Sequence, residues 1–196
     1  FRKAVNLPHL HPGLGANNRA FHKMLTDGVD VEYRHKDGHI AGDKALLVDF
    51  DHPERNEFLA VNQFTVIENG KNRRPDVVLF VNGLPLVVVE LKNPADENAD
   101  THKAFHQIQT YKQEIPTLFA YNEIVVLSDG VDSRAGAFLS PWERFMPWRT
   151  VEGQQLAPAS MPTIEVLMRG MFEKRRLLDL LHYFIAFAEE DGELKK

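Results

Sequence analysis

The chain contains no cysteine, which excludes disulfides, thiolate metal ligands and cysteine nucleophiles. No apolar run approaches the ~20 residues of a bilayer span, and no signal peptide precedes the first expected helix, so a cytoplasmic location is expected. Nothing matches G-x-x-x-x-G-K-[ST], so no P-loop nucleotide site is encoded. Internal repeats, low-complexity tracts and linkers are also missing. Positive charge is scarce: 23 Lys and Arg face 28 Asp and Glu, for a net charge of −5. A protein gripping duplex DNA alone draws most of its affinity from phosphate neutralisation, so any work on DNA here would rely on other domains or subunits. With 196 residues, 43% of them hydrophobic, the chain suits one domain with a sizeable core.

What is present is a run from Arg74-Pro75-Asp76, through the apolar residues 77–89, to Glu90-Leu91-Lys92. Val77 to Val81 and Leu86 to Val89 are β-branched and aliphatic runs too short for helices, separated by the hairpin signal Asn82-Gly83. Side chains alternate faces along a strand, so the pairing register decides whether the two acids meet. A three-residue loop, Asn82-Gly83-Leu84 with Gly83 left-handed, pairs Val81 with Pro85 and Asp76 with Glu90, and Lys92 shares their face. A two-residue loop would separate the acids. Directly opposed residues have Cβ atoms ~5 Å apart, close enough for both carboxylates to hold one divalent ion.

Two acidic oxygens, with the carbonyl of Leu91 as a further donor, form a hard-oxygen site suited to Mg2+, with Mn2+ as a substitute. Such an ion favours phosphodiester hydrolysis by polarising the phosphoryl oxygen and acidifying a bound water. Lys92 would hold or deprotonate that water, or offset charge building on the phosphate. The plain alternative is a solvated Glu90/Lys92 pair on an exposed strand. Leu86-Val87-Val88-Val89 argues against it, because a run apolar on both faces is a central strand, where charges need a partner or an ion.

The segments Arg73-Arg74-Pro75-Asp76 and Glu90-Leu91-Lys92-Asn93-Pro94 resemble the PD-(D/E)xK nuclease core, in the form found in the N-terminal endonuclease domain of the type I restriction enzyme R subunit. That family carries Q-x-x-x-Y on the helix after its catalytic strand, and this chain has Gln107-Ile108-Gln109-Thr110-Tyr111. Asn62-Gln63-Phe64, Asn93-Pro94-Ala95 and Ser128-Asp129-Gly130 also resemble it. The resemblance implies that Asp76 and Glu90 bind the metal, that Lys92 is catalytic, and that Gln107 and Tyr111 support the site or meet DNA. It implies an α/β restriction-endonuclease-like core, a mixed sheet flanked by helices. It further implies a Mg2+-dependent endonuclease that makes double-strand breaks, with the ATP-driven motor domain, methylation and specificity subunits as partners. ATP would be used only by that motor. The alternatives are a non-catalytic nuclease-fold interaction module and a stand-alone repair nuclease of the same core.

Arg73 and Arg74 beside the site, and Lys174-Arg175-Arg176 further on, are the local basic groups, read either as phosphate contacts or as solvated charge. Elsewhere, Asn17-Asn18 are expected to cap a helix through Leu25 with Gly28 as its stop. Val29–Arg34 and Ala45–Phe50 are expected to form a hairpin about Asp37-Gly38, and 58–67 one strand before the turn Asn69-Gly70. A helix is expected over about 99–114, a strand over 123–127, and helices over 161–168 and 173–188. The last of these carries Leu177, Leu178, Leu181, Phe184, Ile185 and Ala188 at helical spacing and is expected to lead toward a motor domain beyond a cut end. Weaker candidates are His102 and His106 as a zinc pair, Glu32, Asp49, Asp51 and Glu57 as a third acid, and Trp142 and Trp148 as base-stacking or core residues.

Overall fold

The computed structural model describes residues 13–93, 100–190 and 193–196. Helix α1 (Leu14–Asp27) leads into a two-stranded ribbon, β1 (Val29–Arg34) and β2 (Ile40–Ala45). Strand β3 (Phe58–Asn62) follows, then a second ribbon, β4 (Val66–Glu68) with β5 (Lys71–Arg73), and the hairpin β6 (Val77–Val81) and β7 (Leu84–Leu91). Helix α2 (Thr101–Glu114) and the single turn α3 (Pro116–Phe119) precede β8 (Ile124–Ser128) and β9 (Ser133–Ala137). Helices α4 (Thr163–Met171) and α5 (Lys174–Tyr183) follow, and β10 (Ala188–Glu190) with β11 (Glu193–Lys195) forms a last ribbon.

Five strands form the central sheet in the order β3-β6-β7-β8-β9. Only β7 and β8 run parallel, and α2 with α3 makes the crossover between them, as a parallel connection requires. Leu86, Val87, Val88 and Val89 are fully buried, because helices cover both faces of β7. Its alternation sorts the two cores. Val87, Val89, Ile124 and Val126 pack with Phe21 and Leu25 of α1, Leu167 of α4, and Leu177, Leu178 and Leu181 of α5. Val78, Val88, Val125 and Leu127 pack with Ala104, Ile108 and Tyr111 of α2 and with Phe119, Phe138 and Phe145. Burying each of the Val, Leu, Ile and Phe side chains among these is worth about 1.5–3 kcal/mol. The mixed sheet flanked by helices is the expected α/β architecture.

The hairpin reaches its register by a different route from the one expected. Its turn has two residues, Asn82 and Gly83, both at positive φ (50° and 78°), with Val81 opposite Leu84 and Phe80 opposite Pro85. Asparagine and glycine tolerate that left-handed pair best. Left alone, this turn would carry Asp76 to the wrong face. The register shifts between Leu79 and Phe80, so that Leu79 faces Val87 and Val77 faces Val89. Leu86 is the extra residue of a bulge, and its carbonyl accepts from the Glu123 N–H at 2.8 Å and from Asn122 Nδ2 at 3.1 Å. One residue beyond Val77 and Val89, Asp76 comes opposite Glu90.

Other expectations change for identifiable reasons. Asn17 and Asn18 do not cap α1. They lie within it, and the Asn18 side chain is buried and donates to the carbonyls of Ala120 and Asn122 at 3.2 and 2.8 Å. The β1 partner is Ile40–Ala45 rather than 45–50, since Asp49 is tied to Asn56 in a local turn. The strand expected over 58–67 breaks at Gln63, whose φ is 53°. Strand β9 was not anticipated.

The final helix ends at Tyr183 instead of 188. Leu177, Leu178 and Leu181 are buried, but Phe184 is 75% exposed. Tertiary contacts override helix propensity there. The C-terminal ribbon returns to α1, with Arg19 paired to Glu189 at 3.1 Å and the Phe187 ring 5.4 Å from that of His22. The buried Lys196 ammonium donates to Glu123 and, at 2.8 Å, to Asn18 Oδ1.

Candidate active site

Sheet parity places Asp76, Val78, Val88, Glu90 and Lys92 on the face that α2 covers, because Val78 and Val88 belong to the α2 core. Helix α2 is preceded by Asp100, whose carboxylate accepts from the His102 N–H at 2.7 Å, a side-chain N-cap. Ala104, Ile108, Tyr111 and Ile115 turn to the sheet at three- and four-residue spacing and are buried. Gln107 therefore sits at the margin of that stripe, one turn from Tyr111, above the end of β7.

Both Asp76 oxygens are held. The Leu91 N–H donates to Oδ2 at 2.8 Å, tying Asp76 to the opposite strand, and Gln63 Nε2 donates to Oδ1 at 3.0 Å. The Gln63 N–H also donates to the Asp76 carbonyl at 2.8 Å. Glu90 is 2% exposed. Its Oε1 accepts from Lys92 Nζ at 3.1 Å, while Oε2 is buried without a hydrogen-bond partner among the described residues. Burial first, and the Asp76 charge second, push the Glu90 carboxyl up to about 7 against the pull of Lys92.

The Lys92 ammonium donates to Gln107 Oε1 as well, and Gln107 Nε2 donates to the Tyr111 hydroxyl at 2.5 Å. Burial raises the Tyr111 hydroxyl above its ordinary value, and the Glu90 and Asp76 charges add to that. The Lys92 N–H donates to the Ser128 carbonyl at 2.7 Å, so the parallel strand β8 fixes the backbone at the lysine. The structure thus joins Asp76, Glu90, Lys92, Gln107 and Tyr111 in one chain of contacts. Leu91 contributes its N–H to that chain, and its side chain is exposed.

The neighbouring arginines differ. Arg73 is ion-paired with Glu114 at the end of α2, and that pairing raises its pKa. Arg74 is exposed. Both line an open depression of about 550 Å³ with Gln63, His106, Gln107 and Tyr111. A larger hollow of about 1030 Å³, between α1 and the C-terminal ribbon, contains none of these groups. Of the distant basic run, Arg175 donates to the Phe50 and Asp51 carbonyls at 2.7 and 2.6 Å, and Arg176 to that of Val151 at 2.8 Å. Those guanidiniums hold the fold together.

None of the weaker metal candidates gathers at this site. Among the described residues no third carboxylate or imidazole joins Asp76 and Glu90, and the one His/Asp/Glu gathering is the exposed trio His35, Asp37 and His39 at the β1–β2 turn. Asp49 binds His52 and Arg55. The His102 and His106 rings are 6.1 Å apart, and the His102 ring lies tilted against that of Trp142 at 3.9 Å. Trp142 lies against Phe105 and Phe145, and Trp148 packs on the core. Sequence reasoning gave Gln63 no place at the site, because it read this residue as mid-strand. The signal available was the resemblance of Asn62-Gln63-Phe64 to the nuclease family, while the register of β3 on β6 is what sets Gln63 beside Asp76. Of Asn93-Pro94-Ala95, residues 94 and 95 lie outside the described residues.

Comparison with known proteins points the same way. The profile of the type I restriction enzyme R protein N terminus matches residues 2–144. The type I restriction enzyme HindI endonuclease subunit of Haemophilus influenzae is 41% identical over 180 residues, covering 90% of this chain and 17% of that protein. A Methanocaldococcus jannaschii chain that bears the name of a type I restriction enzyme MjaIXP endonuclease subunit is 32% identical over 194 residues, covering 89% and 18%. The Staphylococcus aureus SauCOLORF180P endonuclease subunit is 32% identical over 149 residues, covering 68% and 16%. The chain thus spans less than a fifth of the length of these relatives.

Proposed function

The chain belongs to the family of type I restriction enzyme R protein N termini, and we propose that it is the Mg2+-dependent endonuclease domain of such an enzyme, hydrolysing DNA phosphodiesters to make double-strand breaks. The observation that carries this reading is Glu90 Oε2, a carboxylate oxygen buried without a partner among the described residues and beside a second carboxylate. Two acids forced together in a low-dielectric setting raise each other's cost of ionisation unless a cation is shared between them. The donor set is all oxygen, which fits Mg2+ or Mn2+ rather than a thiophilic metal.

Asp76 and Glu90 would hold the ion, with the Leu91 carbonyl as a further oxygen. A bound Mg2+ supplies Lewis acidity toward the phosphoryl oxygen and lowers the pKa of a coordinated water. The chain's own residues prepare the rest. An ammonium has three donors; Lys92 spends two on Glu90 and Gln107, leaving one for the attacking water or a phosphate oxygen. Gln107 fixes where that ammonium points, and the Tyr111 hydroxyl fixes Gln107. Arg74, exposed at the rim of the depression, suits a phosphate beside the scissile one better than Arg73, whose charge Glu114 already meets.

With a net charge of −5, this domain acts on DNA that other parts of the enzyme deliver: a motor domain that uses ATP, and methylation and specificity subunits. It works in the cytoplasm, where that DNA lies; among the described residues, no helix is long and apolar enough to cross a membrane. Titration calorimetry with Mn2+ tests the site. Binding to the unaltered chain that is lost in Asp76→Ala supports it, and an unchanged isotherm in that variant refutes it in favour of a non-catalytic nuclease-fold module.

A further inference from the structure

We infer that Gln63 is a positioning residue that clamps the Asp76 carboxylate in its metal-binding orientation. This rests on the proposed role of Asp76 and deepens it. Gln63 holds Asp76 twice: its backbone N–H donates to the Asp76 carbonyl at 2.8 Å, and its side-chain Nε2 donates to Oδ1 at 3.0 Å. The Leu91 N–H occupies Oδ2 at 2.8 Å. A carboxylate gripped on both oxygens cannot rotate about its terminal torsion, which is otherwise soft.

The backbone is bent at the residue that makes this grip. Its φ of 53° lies in the left-handed region that non-glycine residues seldom adopt. Strand β3 ends at Asn62, directly opposite Val77, and the same register brings the next residue, Gln63, opposite Asp76 on the same face. The left-handed turn at Gln63 ends the strand at that pair, where its N–H and its side-chain amide both donate to Asp76. Conformations of that kind cost free energy and persist where the surroundings enforce them, frequently at functional sites. The Gln63 side chain also faces the open depression lined by Gln107 and Tyr111, so the Asp76 and Lys92 arms of the site are each oriented by a glutamine amide. Donors that orient a ligating carboxylate typically affect metal affinity about 10- to 100-fold.

Gln63→Asn is the informative variant. Asparagine accepts positive φ more readily than other non-glycine residues, so the backbone and its N–H bond are kept while the amide is withdrawn by one methylene. Mn2+ titration calorimetry of the chain should show affinity lowered about 10-fold, with the melting temperature of the metal-free protein unchanged within about 2 °C. If Asp76→Ala abolishes binding but Gln63→Asn binds as tightly as the unaltered chain, the clamp is wrong while the metal site stands. If Asp76→Ala changes nothing, the metal site itself is wrong. Crystal structures of the unaltered and Gln63→Asn chains without metal then decide the clamp alone: an Asp76 carboxylate that rotates only in the variant supports it, and one that keeps its orientation in both overturns it.

Discussion

Glu90→Gln separates the electrostatic cost of this site from its packing. Burial and Asp76 raise the Glu90 carboxyl from an ordinary 4.5 to about 7, so the folded metal-free protein binds that proton more tightly than the unfolded chain does. The associated stability is fully present below about pH 4.5 and is lost as pH rises through about 7. A shift of that size corresponds to roughly 3 kcal/mol, of which about 2.5 kcal/mol falls between pH 5 and pH 8. Glutamine copies the protonated acid at nearly the same volume and does not titrate. Its gain relative to the unaltered chain should therefore be small at pH 5 and grow by about 2 kcal/mol by pH 8, after allowance for the lost contact with Lys92. The assay is urea unfolding of both proteins with a chelator present, at pH 5, 6, 7 and 8. Comparing the two proteins cancels every other titrating group. A stability difference independent of pH would refute the reasoning, and so would one that moved in Glu90's favour as pH rose.

Lys92→Ala should abolish DNA cleavage by the full-length enzyme with its partner subunits, while this chain keeps its melting temperature and Mn2+ binding to within a few-fold; a variant that still cuts removes Lys92 from the chemistry. Gly170→Ala tests the packing of α4, because a Cβ there would overlap the Thr150 carbonyl and the Trp148 indole, whose Nε1 donates to that carbonyl at 2.7 Å. Backbone atoms cannot yield cheaply, so a loss of about 3 kcal/mol in denaturant unfolding is expected. A loss under about 0.5 kcal/mol would mean that this approach is looser than described.

Much of the site was legible because strand chemistry is local. The apolar run 86–89 required a central strand, and the acids at its margins required a partner. Helical spacing alone placed Gln107 beside Tyr111. The hairpin was harder: Asn82-Gly83 signals a turn, but nothing in the letters 79–86 announces the bulge at Leu86, which arises where Asn122 and Glu123 claim the Leu86 carbonyl from another strand. The expected facing of Asp76 and Glu90 was reached through a loop of the wrong length, and it is the bulge that restores it. The basic run 174–176 shows the opposite limit, since its composition left phosphate contact and solvated charge both open, whereas Arg175 and Arg176 are spent on backbone carbonyls.

By itself the sequence determined which residues are proposed to carry the chemistry, through residue type and periodicity, and which classes of chemistry are excluded, through the absence of cysteine and of a P-loop. Tertiary structure decided what those residues meet. Gln63 reaches Asp76 because β3 lies beside β6, Arg73 is neutralised because α2 ends at Glu114, and beyond the last helix, which ends at Tyr183, the chain returns to bury Lys196 against Glu123. These outcomes depend on contacts between segments far apart in the chain, and a local pattern of propensities carries no information about them.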